Sequence, residues 1–153
     1  MSMKLRRKIP HEEFDYQVLL NALSNYKYPR DKITTLLKNE VIIRVKKGLY
    51  VFGEDYRRGP FSREILANLA YGPSCISLDY ALQHHGIIPE GVRTLTSVCA
   101  GRSRGFETPV GHFSYRQITL GALAACCSQY ETVEGLHFLM SVPETALADK
   151  VRL

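Results

Sequence analysis

The sequence has no uninterrupted apolar run near the roughly 20 residues that span a bilayer. Its opening residues, MSMKLRRKIPHEEF, pass from basic to acidic without the apolar stretch of a secretion signal. No membrane partner is expected, and a cytoplasmic location is. The four cysteines, Cys75, Cys99, Cys126 and Cys127, lack CxxC spacing, and the adjacent pair is poorly placed to make two independent staples. They read as reduced thiols filling small core positions. The histidines offer no metal-ligand spacing: His84 and His85 are neighbours, and His11, His112 and His137 are scattered, so no metal is expected. A phosphate-cradling glycine loop followed by Lys-Ser or Lys-Thr is missing, as are acids paired for metal-assisted phosphoryl transfer, so no cofactor is expected either. GPSCIS, Gly72 to Ser77, lacks the Gly-x-Ser-x-Gly spacing of a nucleophile turn. Cys75 beside Ile76 in a loop reads as packing rather than as a thiol activated by His84 or His85. No catalytic residue and no enzymatic activity are expected.

What the sequence does have is a lopsided charge. Residues 1–63 carry 14 Lys and Arg against 7 Asp and Glu, whereas residues 64–153 carry 6 against 8. The formal net of +5 thus resides in the first part of the chain. This is the footprint of a module that displaces counterions from a polyanion. At 153 residues the chain is long enough for two modules, and the polar stretch Glu54 to Pro60, ending Gly-Pro, reads as the linker. We expect an α+β protein with one domain over residues 1–60 and a small mixed α/β domain over residues 61–153. Internal repeats and low-complexity segments are not apparent.

Periodicity predicts a helix from His11 to Ser24, with Glu12, Glu13 and Asp15 in its first turn and Tyr16, Leu19, Leu20 and Leu23 buried. Pro29 opens a second helix on which Ile33, Leu36 and Leu37 share a face. A strand follows from Val41 to Val45, then a Lys46, Lys47, Gly48 turn, then a strand Leu49 to Phe52. Gly48 suits the positive φ of a three-residue loop, which pairs Val45 with Leu49 and sets Arg44 on the face of Tyr50. In the second part, Ser62 and Ser77 are placed to cap helices, and Gly86 to end one. Strands are expected over Leu95 to Cys99, Gly111 to Ile118 and Leu136 to Val142, with a final helix from Pro143. Residues 119–135 have helix-forming alanines but no clean period.

A short basic helix followed directly by a hairpin with a basic tip is the order a winged helix-turn-helix presents to DNA. Arg30, Thr34, Thr35 and Lys38 gather on the helix face away from the core. Alone, that face is what any solvated helix surface looks like. Joined to the hairpin and the charge asymmetry, it reads as a DNA interface. Thr34, Thr35 and Arg30 would meet base edges, and Lys46 and Lys47 the phosphates. In the second part GRSRGF, Gly101 to Phe106, places Arg102 and Arg104 between glycines. This loop fits two descriptions, a dock for a phosphate or acidic partner surface and a mobile connection with solubilising charges.

Four blocks carry a family resemblance: PRDKITTLLKNEVIIRVKKGLYVFG, SREILANLAYGPSCISLDYALQHHGIIPE, TSVCAGRSRGFETPVGHFSYRQI and VPETALADK. They resemble the AbiEi antitoxins of type IV, abortive-infection toxin-antitoxin systems, and ISLDYALQHHGIIPE is the most specific phrase. Val142 and Thr145 depart from the family's Thr-Pro-Glu-Lys-Ala-Leu pattern. The resemblance implies a prokaryotic autoregulator whose winged helix binds its own promoter, with DNA contacts on Pro29 to Lys38 and on Arg44, Lys46 and Lys47; by size one copy covers a single half-site, so a dimer on inverted repeats is expected. It also implies a C-terminal domain that neutralises a nucleotidyltransferase-like toxin, not always by direct contact. The alternative is a stand-alone regulator whose second domain senses a ligand or dimerises.

Overall fold

The computed structural model describes residues 2–132 and 135–153. The chain is α+β and divides into two compact units, Met1–Ser62 and Arg63–Leu153.

In the first unit the order is α1 (Ser2–Lys8), β1 (Glu13–Asp15), α2 (Tyr16–Ala22), α3 (Pro29–Lys38), β2 (Ile42–Lys46) and β3 (Leu49–Phe52). The strands form an antiparallel sheet in the order β1-β3-β2. Leu5 and Ile9, one turn apart, bring α1 into the core with Phe14, Leu19, Leu23, Ile33, Leu36 and Ile42. Phe14 lies 4.9 Å from the ring of Phe52 and 6.0 Å from that of Tyr50, which ties β1 to β3.

The expected His11 to Ser24 helix is therefore shortened at its start. Phe14 pairs with Tyr50 as a strand residue, and Asp15 becomes the N-cap, its carboxylate accepting the Val18 N–H at 2.8 Å. Helix α1 was not anticipated, because the segment reads as a basic tail. Arg6 is instead turned inward. Its Nη1 and Nη2 donate to Oε1 and Oε2 of Glu12 at 3.0 and 2.9 Å, and its guanidinium lies 4.2 Å over the Phe52 ring.

The expected linker is also tied down. After a 3-10 turn at Glu54–Tyr56, Arg57 Nε donates to the Phe52 carbonyl, the Arg58 N–H to Glu12, and the Ser62 N–H to Glu13 Oε2 at 2.9 Å. Gly53 permits this return, since a Cβ there would collide with the Glu40 carbonyl. Burial raises the Glu13 carboxyl above the ordinary glutamate value, with the Ser62 N–H pulling the other way. The folded unit therefore holds this proton more tightly than the unfolded chain. Its contribution is complete at low pH and is lost as pH rises through the elevated value. Glu13→Gln should accordingly gain stability relative to the parent as pH increases from the ordinary glutamate range upward, measured as the difference in urea midpoint at a series of pH values.

The second unit holds α4 (Arg63–Ala70), β4 (Ser74–Ile76), α5 (Leu78–His84), β5 (Leu95–Cys99), β6 (Arg104–Thr108), β7 (Gly111–Gln117), α6 (Leu120–Cys126), β8 (Cys127–Glu131), β9 (His137–Ser141) and α7 (Pro143–Arg152). Its six-stranded sheet runs β6-β7-β5-β4-β9-β8 and is mixed, with β4–β9 and β5–β7 parallel. Ile76, Leu95, Phe113, Tyr115 and Met140 are fully buried, and the Tyr115 hydroxyl donates to the Ala67 carbonyl at 2.6 Å. The ambiguous segment resolves into α6 and β8; Val133 and Glu134 lie outside the described residues.

Ser77 occupies the N-cap of α5, but its hydroxyl does not cap. It donates to Asp149 Oδ2 at 2.7 Å and accepts from Ser141 Oγ at 2.9 Å, while Asp149 Oδ1 takes Arg152 Nη2 at 2.7 Å. Asp149 and both serines are buried, so this chain of bonds anchors α7 to the β4–α5 junction. Asp149→Ala strands a buried hydroxyl and should cost about 1–3 kcal/mol. The expected readout is a lower urea midpoint with unchanged slope for this unit. Among the described residues, no helix is long and apolar enough to cross a membrane.

Candidate nucleic-acid interface

Pro29 at the first position starts α3 without losing a hydrogen bond, and Ile33 and Leu36 bury its inner face. Arg30, Asp31, Thr34, Thr35 and Lys38 are all exposed. The threonine hydroxyls are engaged locally: Thr34 Oγ1 donates to the Arg30 carbonyl at 3.2 Å and Thr35 Oγ1 to that of Asp31 at 3.1 Å. With their protons so used, both hydroxyls present lone pairs outward. Such a face can accept from the amino groups of cytosine or adenine, whereas phosphate contacts require the Arg30 and Lys38 cations. Asp31 adds one negative charge to it.

The hairpin pairs Arg44 with Tyr50 and Lys46 with Leu49. Val45 does not pair with Leu49 as expected. A bulge between Arg44 and Lys46 shortens the loop to Lys47 and Gly48, and Gly48 takes φ +86°. Arg44 still lies opposite Tyr50. The loop is anchored, because the Tyr16 N–H donates to the Gly48 carbonyl at 2.9 Å. Lys47 is exposed and Lys46 half-buried.

Beside Lys32 of α3 lie two cations, Lys4 and Lys8, that sequence reasoning missed. Lys4, Lys8 and Lys32 surround a cleft of about 290 Å³ floored by Leu5, Leu23 and Leu36. Lys8 Nζ donates to the Ala22 carbonyl at 3.2 Å, and Lys32 Nζ lies 5.1 Å over the Tyr26 ring. Their signal was the spacing of Leu5 and Ile9, which makes a helix of the N-terminal residues. Arg6 adds no external charge, being paired with Glu12.

In the second unit Arg102 and Arg104 are both exposed but differently held. Arg104 begins strand β6, its guanidinium 4.9 Å over the Phe106 ring and 5.6 Å over that of Tyr71. The Arg102 carbonyl accepts the Tyr71 hydroxyl at 3.0 Å. The loop thus runs beside an aromatic cluster of Tyr71, Phe106 and Tyr115.

Cys75 Sγ faces the Cys126 and Cys127 thiols, and His85 Nε2 is bonded to the Ser141 carbonyl at 2.9 Å. His84 stacks edge-on with Tyr130 and Phe138. Comparison of the chain with protein-family models and with curated proteins finds no match in either.

Proposed function

We propose that this chain is a DNA-binding transcriptional autoregulator and antitoxin, with residues 1–60 forming a winged helix-turn-helix and residues 61–153 acting on a nucleotidyltransferase-like toxin. The observation that carries the DNA-binding half is the exposed face of α3, bearing Arg30, Thr34, Thr35 and Lys38, followed at once by an anchored hairpin with Lys46 and Lys47 at its end. The element order α1-β1-α2-α3-β2-β3 and the sheet order β1-β3-β2 support the same reading.

An α-helix about 10–12 Å across fits a major groove about 12 Å wide. With α3 seated there, Thr34 and Thr35 accept from base amino groups while Arg30 and Lys38 hold the groove's edges. Lys46, Lys47 and Arg44 then follow the phosphates. A single copy covers one half-site, so two copies bind an inverted repeat with half-sites about 34–36 Å apart. Thr34→Val keeps the helix and removes one acceptor. Selection of bound duplexes from a random pool should show relaxed preference at one base pair per half-site, worth about 1–3 kcal/mol, with no change in salt dependence.

The antitoxin half is supported by the four sequence blocks and by the exposed Arg102 and Arg104, cations that suit an acidic partner surface. Co-expression with the product of the adjacent reading frame tests it. Growth arrest relieved by this chain is the expected result; a neighbour unrelated to nucleotidyltransferases contradicts it. A stand-alone regulator is the second reading, favoured by a cleft of about 340 Å³ beside α6 and α7 that could admit a small ligand.

A further inference from the structure

Three of the four cysteines, separated by up to 52 positions, converge in the second unit: the Sγ atoms of Cys75, Cys126 and Cys127 all lie within 4.8 Å of one another. Cys75 comes from β4, under helix α6. Cys126 ends α6 and Cys127 begins β8. Successive side chains diverge by about 100° in a helix and 180° in a strand, so two neighbours address one point only where the backbone changes from one form to the other. Cys127 sits at that change, extended at φ −82° and ψ 129°, and its Sγ is 3.9 Å from that of Cys126. No CxxC spacing announces this arrangement, because the third ligand arrives through the sheet.

We propose that Cys75, Cys126 and Cys127 form a three-thiolate site for a thiophilic divalent d10 metal ion of the zinc or cadmium class. With metal–sulfur bonds of ~2.3 Å, three thiolates sit ~3.8–4.0 Å apart in tetrahedral or trigonal geometry. The Cys126–Cys127 separation already has this value, and the remaining sulfur is within an ångström of it. Carbonyl acceptors orient the free thiols: Cys126 Sγ lies 3.3 Å from the Leu123 oxygen and Cys75 Sγ 3.6 Å from that of Ile76. Ligation replaces the proton of each S–H by the bond to the ion and releases it to solvent.

The surroundings select the donor class. Leu78, Val98 and Leu123 enclose the cluster, so soft sulfur ligands and a low net charge are favoured over a hydrated hard cation. A divalent ion with three thiolates leaves one negative charge, and Arg152, paired with Asp149, lines the cleft that Cys126 borders. Asp149 is committed to Ser77 and Arg152 and is not the fourth ligand. Cys126 borders the cleft of about 340 Å³ formed with Ala122, Ala125, Ala148 and Arg152, which supplies an entry path and room for water as the fourth ligand.

The test is titration of the reduced, full-length protein with Cd(II) under anaerobic conditions, following the near-ultraviolet thiolate-to-metal charge-transfer band. One ion per chain is expected, together with a raised melting temperature. Cys75→Ala, Cys126→Ala and Cys127→Ala should each lose the band at stoichiometric metal. Cys99→Ala should retain it, since the Cys99 thiol is bonded to the Gly101 carbonyl outside the cluster. Alkylation mapped by mass spectrometry keeps the test open if a variant misfolds: in the parent, Cd(II) should protect Cys75, Cys126 and Cys127 and leave Cys99 unchanged. No band in the parent, a band surviving Cys75→Ala in a folded variant, or uniform protection of all four thiols overturns the site.

Discussion

Alanine at both Lys46 and Lys47 should weaken binding to the promoter and to unrelated duplex alike, and lower the slope of log K against log salt by up to about 2. The reason is counterion release. Each phosphate neutralised frees about 0.9 of a condensed cation, so two contacts contribute about 60-fold in affinity at ~0.1 M salt and progressively less as salt rises. Both lysines lie at the end of a hairpin fixed by the Tyr16–Gly48 hydrogen bond, so the cations are presented to the backbone in a set place. Base preference should be untouched, because a hairpin tip is expected to follow the backbone and not the base edges. Fluorescence anisotropy with operator and scrambled duplexes at four salt concentrations separates the effect from that of Thr34→Val, which shifts preference and leaves the slope alone. Parent-like binding by the double variant at every salt concentration would remove the hairpin from the interface.

Glu12→Ala unfolds the first unit at moderate temperature. The Arg6 and Glu12 side chains are 6% and 13% exposed, and the guanidinium lies against the Phe52 ring. Removing the carboxylate leaves a buried cation without its two charge-assisted bonds, a loss of about 3–5 kcal/mol. It also frees the Arg58 N–H, which loosens the return of residues 54–62. A unit of this size has a small core and little stability to spare. DNA binding should be lost with the fold. Arg6→Met combined with Glu12→Leu should restore much of the stability, since it replaces the pair by apolar groups of similar length. Urea melts of the parent, Glu12→Ala and the double variant, followed by circular dichroism, check both statements; equal stability of Glu12→Ala and the parent would show the pair to be solvated.

The readings that held rest on local information. Pro29 with Ile33 and Leu36 fixes α3, Gly48 fixes the hairpin, and β-strand patterning places β5, β7 and β9 close to where they lie. Each of these signals sits within about ten residues of sequence. What escaped depends on pairing across the chain. Nothing local distinguishes Arg6 from Arg7, and only the position of Glu12 and Phe52 turns one inward. Phe14 carries a helical period, yet Tyr50 recruits it to a strand. The same holds for the bulge at Val45, for Ser77 serving Asp149 instead of its helix, and for Arg104, whose aromatic bed is assembled from Tyr71 and Phe106. The exposed face of α3 was legible because exposure on one helix face follows from periodicity alone, whereas the cysteine cluster was not, because its third member comes from β4.

The most direct test is hydroxyl-radical footprinting of the chain's own upstream region with the full-length protein. The expected pattern is two protected patches related by a two-fold axis and one helical turn apart, about 34–36 Å, with protection that fades as salt increases and at lower salt when Lys46 and Lys47 are alanine. Uniform cleavage at protein concentrations well above micromolar, or a footprint indifferent to both salt and the two lysines, would contradict a duplex held by α3 and the β2–β3 hairpin.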